Sequence, residues 1–335
     1  MSAAADTAPV AIVPGEPLPP WCDTLWQNLA ARAASGSLPH ALLLCGPAGL
    51  GKRALADAFV RARLCEALQD GHACGTCRAC RLLAAGTHPD RVLVTLEENP
   101  RPPHKLRTEI VIDQIRALSA RLAMSSQLDG WQIAVIDPAE VMNIPAQNAL
   151  LKTLEEPTAA SLVILIADQP WRLTATIRSR CQRLDFVVPQ PELALAWLAT
   201  RGVAHPEAML AAAGGNPGQA WLLSEQGGMQ RRQDVARDLL AMAAGKGDAR
   251  AIGRAWADDE PTQRLEQASR LLEGALRARA LATRTRFDPG WDAATLAAAA
   301  RRADQLRQQV TGPLRNDLAL FAWLDALPRS ASDSR

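Results

Sequence analysis

Residues Gly46 to Lys52 (GPAGLGK) form a glycine-rich loop of the kind that binds phosphate, and the next residue is Arg53. In such loops the glycines let backbone N–H groups converge on phosphate, Lys reaches the β and γ oxygens, and a Ser or Thr then holds Mg²⁺. An arginine has no acceptor with which to bind a cation. The apolar run 41–45 precedes the loop and a helical pattern, 52–64, follows it, which favours a true P-loop over a chance glycine-rich turn. The sequence thus predicts a P-loop without its metal ligand and leaves nucleotide binding open.

Apolar segments downstream predict strands at 91–96, 131–137 and 161–167, and a last short strand is expected at 183–188. The segments 131–137 and 161–167 are continuously apolar, which is typical of parallel strands buried on both faces. Apolar residues at helical spacing predict a helix within 108–127. Strands that alternate with helices indicate an α/β fold with a doubly wound parallel sheet.

The chain after Pro189 contains helical patterns and no convincing strand pattern. Helices are expected at 191–201, 206–213, 217–226, 229–244, 260–284, 292–310 and 313–327. Such an order predicts a small three-helix unit followed by a larger helical domain. A stripe of five apolar residues is expected to lie in the core of the larger domain: Leu265, Ala268, Leu271, Leu272 and Ala275.

Composition narrows the class of protein. The chain has 335 residues, enough for two or three domains, and its net charge of +2 gives no indication of a strongly basic nucleic-acid surface. No apolar run reaches the roughly 18 residues of a membrane helix, and the N-terminus lacks a signal-peptide core. The sequence therefore predicts a cytoplasmic protein without membrane contact, and residues 1–14, small and proline-rich, are expected to form a flexible leader.

Four cysteines fall close together with the spacing C-x8-C-x2-C-x2-C: Cys65, Cys74, Cys77 and Cys80. In a cytosolic chain this clustering favours a metal over disulfides, and Zn²⁺ prefers four thiolates in a tetrahedron. Four protein ligands leave no position for water, so the predicted Zn²⁺ is structural and pins the insertion 65–80. Free or redox-active thiols remain the alternative.

Further motifs follow the sheet-forming segments. Asp137 ends an apolar strand, the place of a Walker-B acid that holds Mg²⁺, but Pro138 stands where working ATPases of the AAA+ class carry Glu. Glu140 follows Asp137 by three residues; it is expected to lie in the following helix and to replace that base poorly. The string 148–157 (NALLKTLEEP) and the triplet 179–181 (SRC) resemble signatures of the bacterial clamp-loader ATPase family.

Together with the cysteine cluster, these motifs resemble the clamp-loader subunits of bacterial DNA polymerase III over most of residues 20–230. The resemblance implies a RecA-like AAA+ domain at 15–188 with the zinc module at 65–80, an all-α three-helix lid at 189–228 and an all-α collar at 229–335. The motor subunits gamma and tau carry a complete P-loop, a Walker-B Asp-Glu and a sensor-2 arginine. Here Arg53, Pro138 and Pro217-Gly218 stand at those places.

The three losses resemble the stator type of subunit, which is not an ATPase on its own but a non-catalytic part of a polymerase holoenzyme, a nucleotidyltransferase complex. The resemblance implies that Arg180 of the SRC triplet is an arginine finger that acts in trans on the ATP site of an adjacent subunit. A structural surface salt bridge is the alternative role for Arg180. ATP or ADP binding by its own loop, through Gly46, Gly49, Gly51, Lys52 and Asp137, is expected to be weak or absent.

The implied partners are the other loader subunits, gamma/tau and delta, in a hetero-oligomeric ring that loads the sliding clamp onto primed DNA. Two other functions remain as alternatives. A self-sufficient gamma/tau-like motor subunit would need Ser or Thr at position 53 and Glu at 138. A zinc-dependent DNA-binding module would need a basic stripe or stacking aromatic residues around 65–80, where Arg78 and Arg81 are the nearby basic residues.

Overall fold

The structure, a computed structural model, describes residues 17–99, 104, 106–128, 130–225, 227–283, 285–310 and 315–329. The predicted flexible leader, residues 1–14, lies outside the described residues. The chain divides into two compact units, of which the first ends at Leu193 and the second begins at Ala194.

The first unit alternates strands and helices, as the sequence predicts. Its elements are α1 (Asp23–Ala34), β1 (Ala41–Cys45), α2 (Lys52–Leu64), α3 (Arg78–Ala84), β2 (Arg91–Val94), α4 (Ile112–Leu122), β3 (Gln132–Ile136), α5 (Ile144–Glu155), β4 (Ser161–Ala167), α6 (Ala175–Arg180) and β5 (Gln182–Asp185). Strand β4 and helix α2 have the predicted bounds, whereas β2, β3, β5 and α4 are each shorter than their apolar patterns.

Within the described residues the strands form one five-stranded sheet in the order β2-β3-β4-β1-β5, and every pairing is parallel. Alternate residues of β1 enter different cores, as the pleat of a strand requires. Leu43 packs with residues of α4, α5 and α6, and Leu42 and Leu44 pack with residues of α1 and α2. Both faces of the sheet are therefore covered by helices, and the predicted doubly wound α/β fold is confirmed.

The sheet topology brings the motifs of the sequence to one edge. Because the strands are parallel, the P-loop after β1, Asp137 after β3 and Asp168 after β4 all follow carboxyl ends. Loops at the carboxyl ends of such a sheet line one crevice, where ligands bind in open α/β folds. The candidate site is therefore assembled by the strand order itself.

In the described part of the second unit the regular elements are helices. They are α7 (Pro191–Thr200), which begins just before the unit boundary, α8 (Pro206–Ala212), α9 (Pro217–Glu225), α10 (Gly228–Ala243), α11 (Ala249–Asp258), α12 (Pro261–Ala280), α13 (Ala293–Gln309) and α14 (Asn316–Asp325). Helix α11 is an element that the sequence analysis did not anticipate. The predicted stripe on α12 is confirmed as core, since all five of its residues are buried.

Two hydrophobic cores lie in this unit, one formed by α7, α8 and α9 and the other by α10 to α14. The division into a lid at 189–228 and a collar at 229–335 remains a prediction. None of the helices in the described ranges is both long and apolar enough to cross a membrane.

Candidate functional site

The P-loop has a backbone that needs glycine at defined places. Gly46 has φ of 140°, and a Cβ there would lie 2.3 Å from the carbonyl oxygen of Phe186. Gly51 has φ of 86° and precedes the first residue of α2. Both positions are in a region that side-chain-bearing residues rarely adopt. A residue that precedes α1 also stabilises the loop: the indole N–H of Trp21 donates to the carbonyl oxygen of Leu50 at 3.0 Å.

Lys52 is folded back into its own loop. Its Nζ donates to the carbonyl oxygens of Gly46 at 2.5 Å and Pro47 at 2.7 Å, and it forms an ion pair with Asp168 Oδ1 at 2.6 Å. Two carbonyl oxygens and one carboxylate therefore surround the ammonium group. Burial lowers the pKa of Lys52, and Asp168 opposes that shift. The residue that would reach a phosphate is thus held by groups of the protein.

Arg53 binds Asp137, the predicted Walker-B acid, directly. Its Nε donates to Oδ2 of Asp137 and its Nη2 donates to Oδ1, both at 2.7 Å, in a two-pronged pair that is almost entirely buried. Burial disfavours the charge on Arg53, but the hydrogen bonds to Asp137 prevail and raise the pKa of the guanidinium. A cation of the protein therefore neutralises the carboxylate for which the sequence predicts a Mg²⁺-binding role.

Glu140 lies in a 3₁₀ turn, Ala139–Val141, rather than in the following helix. Its Oε1 accepts hydrogen bonds from the backbone N–H groups of Asp168 at 2.9 Å and Gln169 at 3.2 Å. Burial raises the pKa of this carboxyl. Glu140 therefore fixes the backbone that follows β4, and with it Asp168, the partner of Lys52. Sequence analysis did not identify Asp168, although a charged residue directly after a buried strand beside β1 was a usable signal.

The four clustered cysteines come together as predicted. Their sulfur atoms all lie within 4.8 Å of one another, with Cys65 to Cys77 at 3.9 Å and Cys74 to Cys80 at 4.0 Å. A tetrahedron with Zn–S bonds of about 2.3 Å places its sulfurs about 3.8 Å apart, so the set fits Zn²⁺.

Backbone N–H groups point at these sulfurs, as thiolate ligands require. Cys65 accepts from the N–H of Cys74, Cys74 from Cys77 and Cys77 from Cys80, each at 3.3 Å. Such bonds from Thr76 and Cys77 lower the pKa of Cys74 to about 6. Burial raises the pKa of Cys80 to about 12, so the geometry of the four sulfurs, rather than their acidity, is what allows the set to hold a metal ion.

Arg180 lies at the C-terminal end of α6, part-exposed, and it pairs with Glu155 at the end of α5. Its Nη2 is 2.7 Å from Glu155 Oε1, and its Nη1 donates to the carbonyl of Thr176 at 3.1 Å. Neighbouring Cys181 is buried in the core beneath the sheet, whereas Arg178 is exposed. Sequence analysis identified Arg180 but not Glu155 as its partner.

The remaining predicted position, Pro217-Gly218, begins α9 in the second unit, and both residues are buried. It lies in the three-helix core described above and carries no cationic side chain. Sequence and structure thus group Lys52, Arg53 and Asp137 in one site, with Arg180 and the cysteines forming two further features of the same unit.

Comparison with known proteins identifies the family. The family model described as DNA polymerase III, delta subunit matches residues 21–190. The DNA polymerase III subunit delta-prime of Pseudomonas aeruginosa is 39% identical over 241 residues, which cover 71% of this chain and 70% of that subunit. This chain belongs to the delta-prime family of DNA polymerase III subunits.

Delta-prime of Escherichia coli K12 is 34% identical over 262 residues, which cover 77% of this chain and 76% of that subunit. The tau subunit of Bacillus subtilis DNA polymerase III is 33% identical over 147 residues, which cover 44% of this chain and 24% of that subunit. The resemblance inferred from the sequence motifs is therefore confirmed. The resemblance implies an α/β P-loop AAA+ domain followed by helical regions. The parallel sheet and the helices described above for this chain agree with that expectation.

Proposed function

We propose that this chain is the stator subunit of a DNA polymerase III clamp loader, that it does not hydrolyse ATP itself, and that Arg180 completes the ATP site of an adjacent gamma/tau subunit. The observation that carries the proposal is the contrast at two arginines. Arg53 is bound to the predicted Walker-B acid in the buried centre, while Arg180 lies at the surface with part of its side chain exposed.

Two features of the P-loop site support the proposed loss of hydrolysis: catalytic groups are missing, and two of the remaining groups are bound by other groups of the protein. No hydroxyl stands at position 53, and no carboxylate stands at 138 to polarise a water. Phosphoryl transfer depends on a metal bridging the β and γ oxygens and on a positioned nucleophile. Lys52 and Asp137 are each engaged by protein partners, so nucleotide binding is expected to be weak and largely independent of Mg²⁺.

Action in trans follows from the chemistry of Arg180. A guanidinium is planar, permanently charged and suited to phosphoryl oxygens, and an arginine finger supplied by a neighbour commonly accelerates hydrolysis by orders of magnitude. A cation with this role has no use beside a centre that cannot hydrolyse. We therefore assign Arg180 to a site that another subunit provides, in a hetero-oligomeric ring with gamma/tau and delta that loads the sliding clamp onto primed DNA.

Zn²⁺ at Cys65, Cys74, Cys77 and Cys80 is proposed to be structural. Four thiolates close the coordination sphere, so the ion would pin the insertion between α2 and α3 and take no part in chemistry. Elemental analysis should find about one zinc per chain, and Cys77→Ser should lower the metal content. Thr76→Ala keeps all four thiolates and should retain the zinc, whereas a native protein with four freely titratable thiols would contradict the assignment.

The ATPase of the reconstituted loader tests the proposal. Arg180→Ala should assemble normally, reduce the DNA- and clamp-stimulated ATPase in part, because only one of the ATP sites borders this subunit, and reduce clamp loading more strongly. Arg180→Lys should rescue little, since an ammonium lacks the planar fork. Arg178→Ala, an exposed arginine on the same helix, is the matched control and should behave as wild type. Unchanged ATPase and clamp loading with Arg180→Ala would show that Arg180 forms only a structural surface salt bridge.

The isolated chain gives a second test. It should show no significant ATP turnover at any Mg²⁺ concentration. Turnover that Lys52→Ala abolishes would identify a motor subunit instead.

A further inference from the structure

The ends of helices α5 and α6 meet at a charged pair. Glu155 is the last residue of α5 and Arg180 is the last residue of α6. The carboxylate and the guanidinium approach to 2.7 Å, and the second terminal nitrogen of Arg180 is held by the carbonyl of Thr176 at 3.1 Å. The two contacts, an ion pair and a hydrogen bond, go to different helices and engage different nitrogens of one planar group. The orientation of the guanidinium plane is therefore fixed from two sides.

Helices α5 and α6, which carry these contacts, are both anchored in the hydrophobic core. Leu154, beside Glu155, and Ile177, in the middle of α6, are both buried in the same core. At the other end of α6, the amide side chain of Gln147 accepts from the backbone N–H of Thr174 at 2.8 Å, which ties the start of α6 to α5. The six-residue helix α6 is thus joined to α5 at two places, by Thr174 just before it begins and by Arg180, its last residue. The pair at Glu155 and Arg180 supplies the second of these connections.

The pair leaves Arg180 able to act. A guanidinium has five N–H donors. Among the described residues one of them donates to the carbonyl of Thr176, and Glu155 forms an ion pair with the other terminal nitrogen. At least three donors remain for an acceptor outside this chain, and a third of the Arg180 side chain is exposed, at 34%. An arrangement that consumed the guanidinium, such as the two-pronged pair at Arg53, would not leave this capacity.

We infer that Glu155 is a positioning residue for Arg180: its carboxylate holds the guanidinium in the orientation in which it meets the phosphoryl group of an adjacent subunit's ATP. This inference rests on the proposed function of Arg180 in trans. Free arginine side chains carry substantial rotamer entropy, which must be lost when the group is ordered at a transition state. Glu155 removes part of that freedom in advance.

A purely stabilising salt bridge is the rival explanation. The carboxylate of Glu155 is half exposed, at 49%, and exposed pairs of this kind contribute little to folding. Positioning and stabilisation therefore predict different results: the first changes turnover in the loader without changing unfolding, and the second does the reverse.

A double-mutant cycle in the reconstituted loader separates these explanations. The measured quantity is the Arg180-dependent ATPase, that is, the rate of the wild-type loader minus the rate of the Arg180→Ala loader, with DNA and clamp present. Glu155→Ala should lower this quantity about two- to fivefold at saturating ATP, the range given by the usual strength of an exposed pair. The KM for ATP should stay constant, because the interaction is made in the transition state.

Three further variants complete the design. Glu155→Gln keeps an oxygen acceptor and should retain most of the activity. Glu156→Ala removes the adjacent exposed glutamate and should behave as wild type. Glu155→Ala combined with Arg180→Ala should equal Arg180→Ala alone, since Glu155 acts only through Arg180.

The outcomes distinguish this inference from the function on which it rests. A reduced loader ATPase with Arg180→Ala, together with a Glu155→Ala loader indistinguishable from Glu156→Ala, would overturn the positioning role and leave the finger in place. A Glu155→Ala effect that persists in the Arg180→Ala background would also overturn it. No effect of Arg180→Ala would overturn the proposed function, and the positioning role with it.

Nitrogen-15 NMR of arginine side chains in the full-length chain supplies a direct measurement that needs no partner. Rotation of the Arg180 guanidinium should be slow in the wild type and faster in Glu155→Ala, with Arg178 fast in both. Equal rotation of Arg180 in the two proteins would overturn the inference.

Discussion

The Arg53–Asp137 and Arg180–Glu155 pairs of the first unit have the same closest N–O distance, 2.7 Å, and opposite surroundings. Arg53 and Asp137 form a two-pronged pair whose side chains are 14% and 6% exposed. Arg180 and Glu155 form a single contact whose side chains are 34% and 49% exposed. The contact distance is therefore not what distinguishes them; burial and the number of engaged donors are.

Under the proposed function, the difference accounts for a domain that has lost hydrolysis and has kept a cation that acts in trans. A buried charge needs its partner, since an uncompensated ion in the interior is costly, so Arg53 and Asp137 are committed to each other. An exposed pair is weak, because water screens both charges, and its single contact leaves donors of Arg180 available when a phosphoryl group approaches. The first pair keeps the core of the site intact without metal, and the second keeps a cation available.

The largest effect predicted from this comparison concerns stability. Arg53→Ala leaves Asp137 buried without a counter-charge and should lower the free energy of unfolding by about 3–5 kcal/mol. Urea unfolding followed by circular dichroism measures it. Arg172→Ala, an exposed arginine of the same unit, should change stability by less than about 0.5 kcal/mol.

A double variant checks the cause of that loss. Arg53→Met combined with Asp137→Leu removes both charges and should cost less than Arg53→Ala alone, because apolar side chains can replace a buried pair. If Arg53→Ala proved as mild as Arg172→Ala, the contrast between the two pairs would be wrong.

An intermediate effect is expected for nucleotide binding. Arg53→Ser restores a hydroxyl at the metal position and frees Asp137, so Mg²⁺-dependent ATP affinity should rise by about tenfold, equivalent to about 1.4 kcal/mol. Calorimetry with and without Mg²⁺ measures it. Turnover should stay absent, since Pro138 still supplies no base. Affinity that does not respond to Mg²⁺ would show that Arg53 is not what excludes the metal.

The smallest effect is on the stability of the exposed pair. Glu155→Ala should change the free energy of unfolding by less than about 1 kcal/mol, because that is the range of exposed ion pairs. Urea unfolding against Glu156→Ala tests it. A loss near that of Arg53→Ala would make Glu155 a structural residue and remove the distinction between the two pairs.

Much of the first unit could be predicted because its signals are local. Strand β4 is a continuous apolar run and has its predicted bounds, and α2 begins at the last residue of the P-loop. The cysteine cluster was predictable from spacing alone. Arg53 was identified as a missing metal ligand, but its bidentate pair with Asp137 joins residues 84 positions apart and depends on strand order. Long-range pairs of this kind leave no periodic trace in a sequence.

Helix α11 was missed for a local reason rather than a long-range one. Its sequence has Gly253 in the middle, which lowers helix propensity and weakens the pattern. In the structure a Cβ at Gly253 would lie 3.0 Å from the backbone nitrogen of Phe321 in α14. The glycine that hides the helix from sequence analysis is thus the residue that lets α11 and α14 approach closely.

We propose that the chain's own P-loop does not support ATP hydrolysis and that the part-exposed Arg180 acts on the ATP site of an adjacent subunit. The most direct test compares two variants of this subunit in the same reconstituted loader: Lys52→Met, which keeps the aliphatic packing, and Arg180→Ala. Our account predicts wild-type DNA- and clamp-stimulated ATPase with Lys52→Met and a partial loss with Arg180→Ala. A loss with Lys52→Met together with wild-type activity in Arg180→Ala would contradict it.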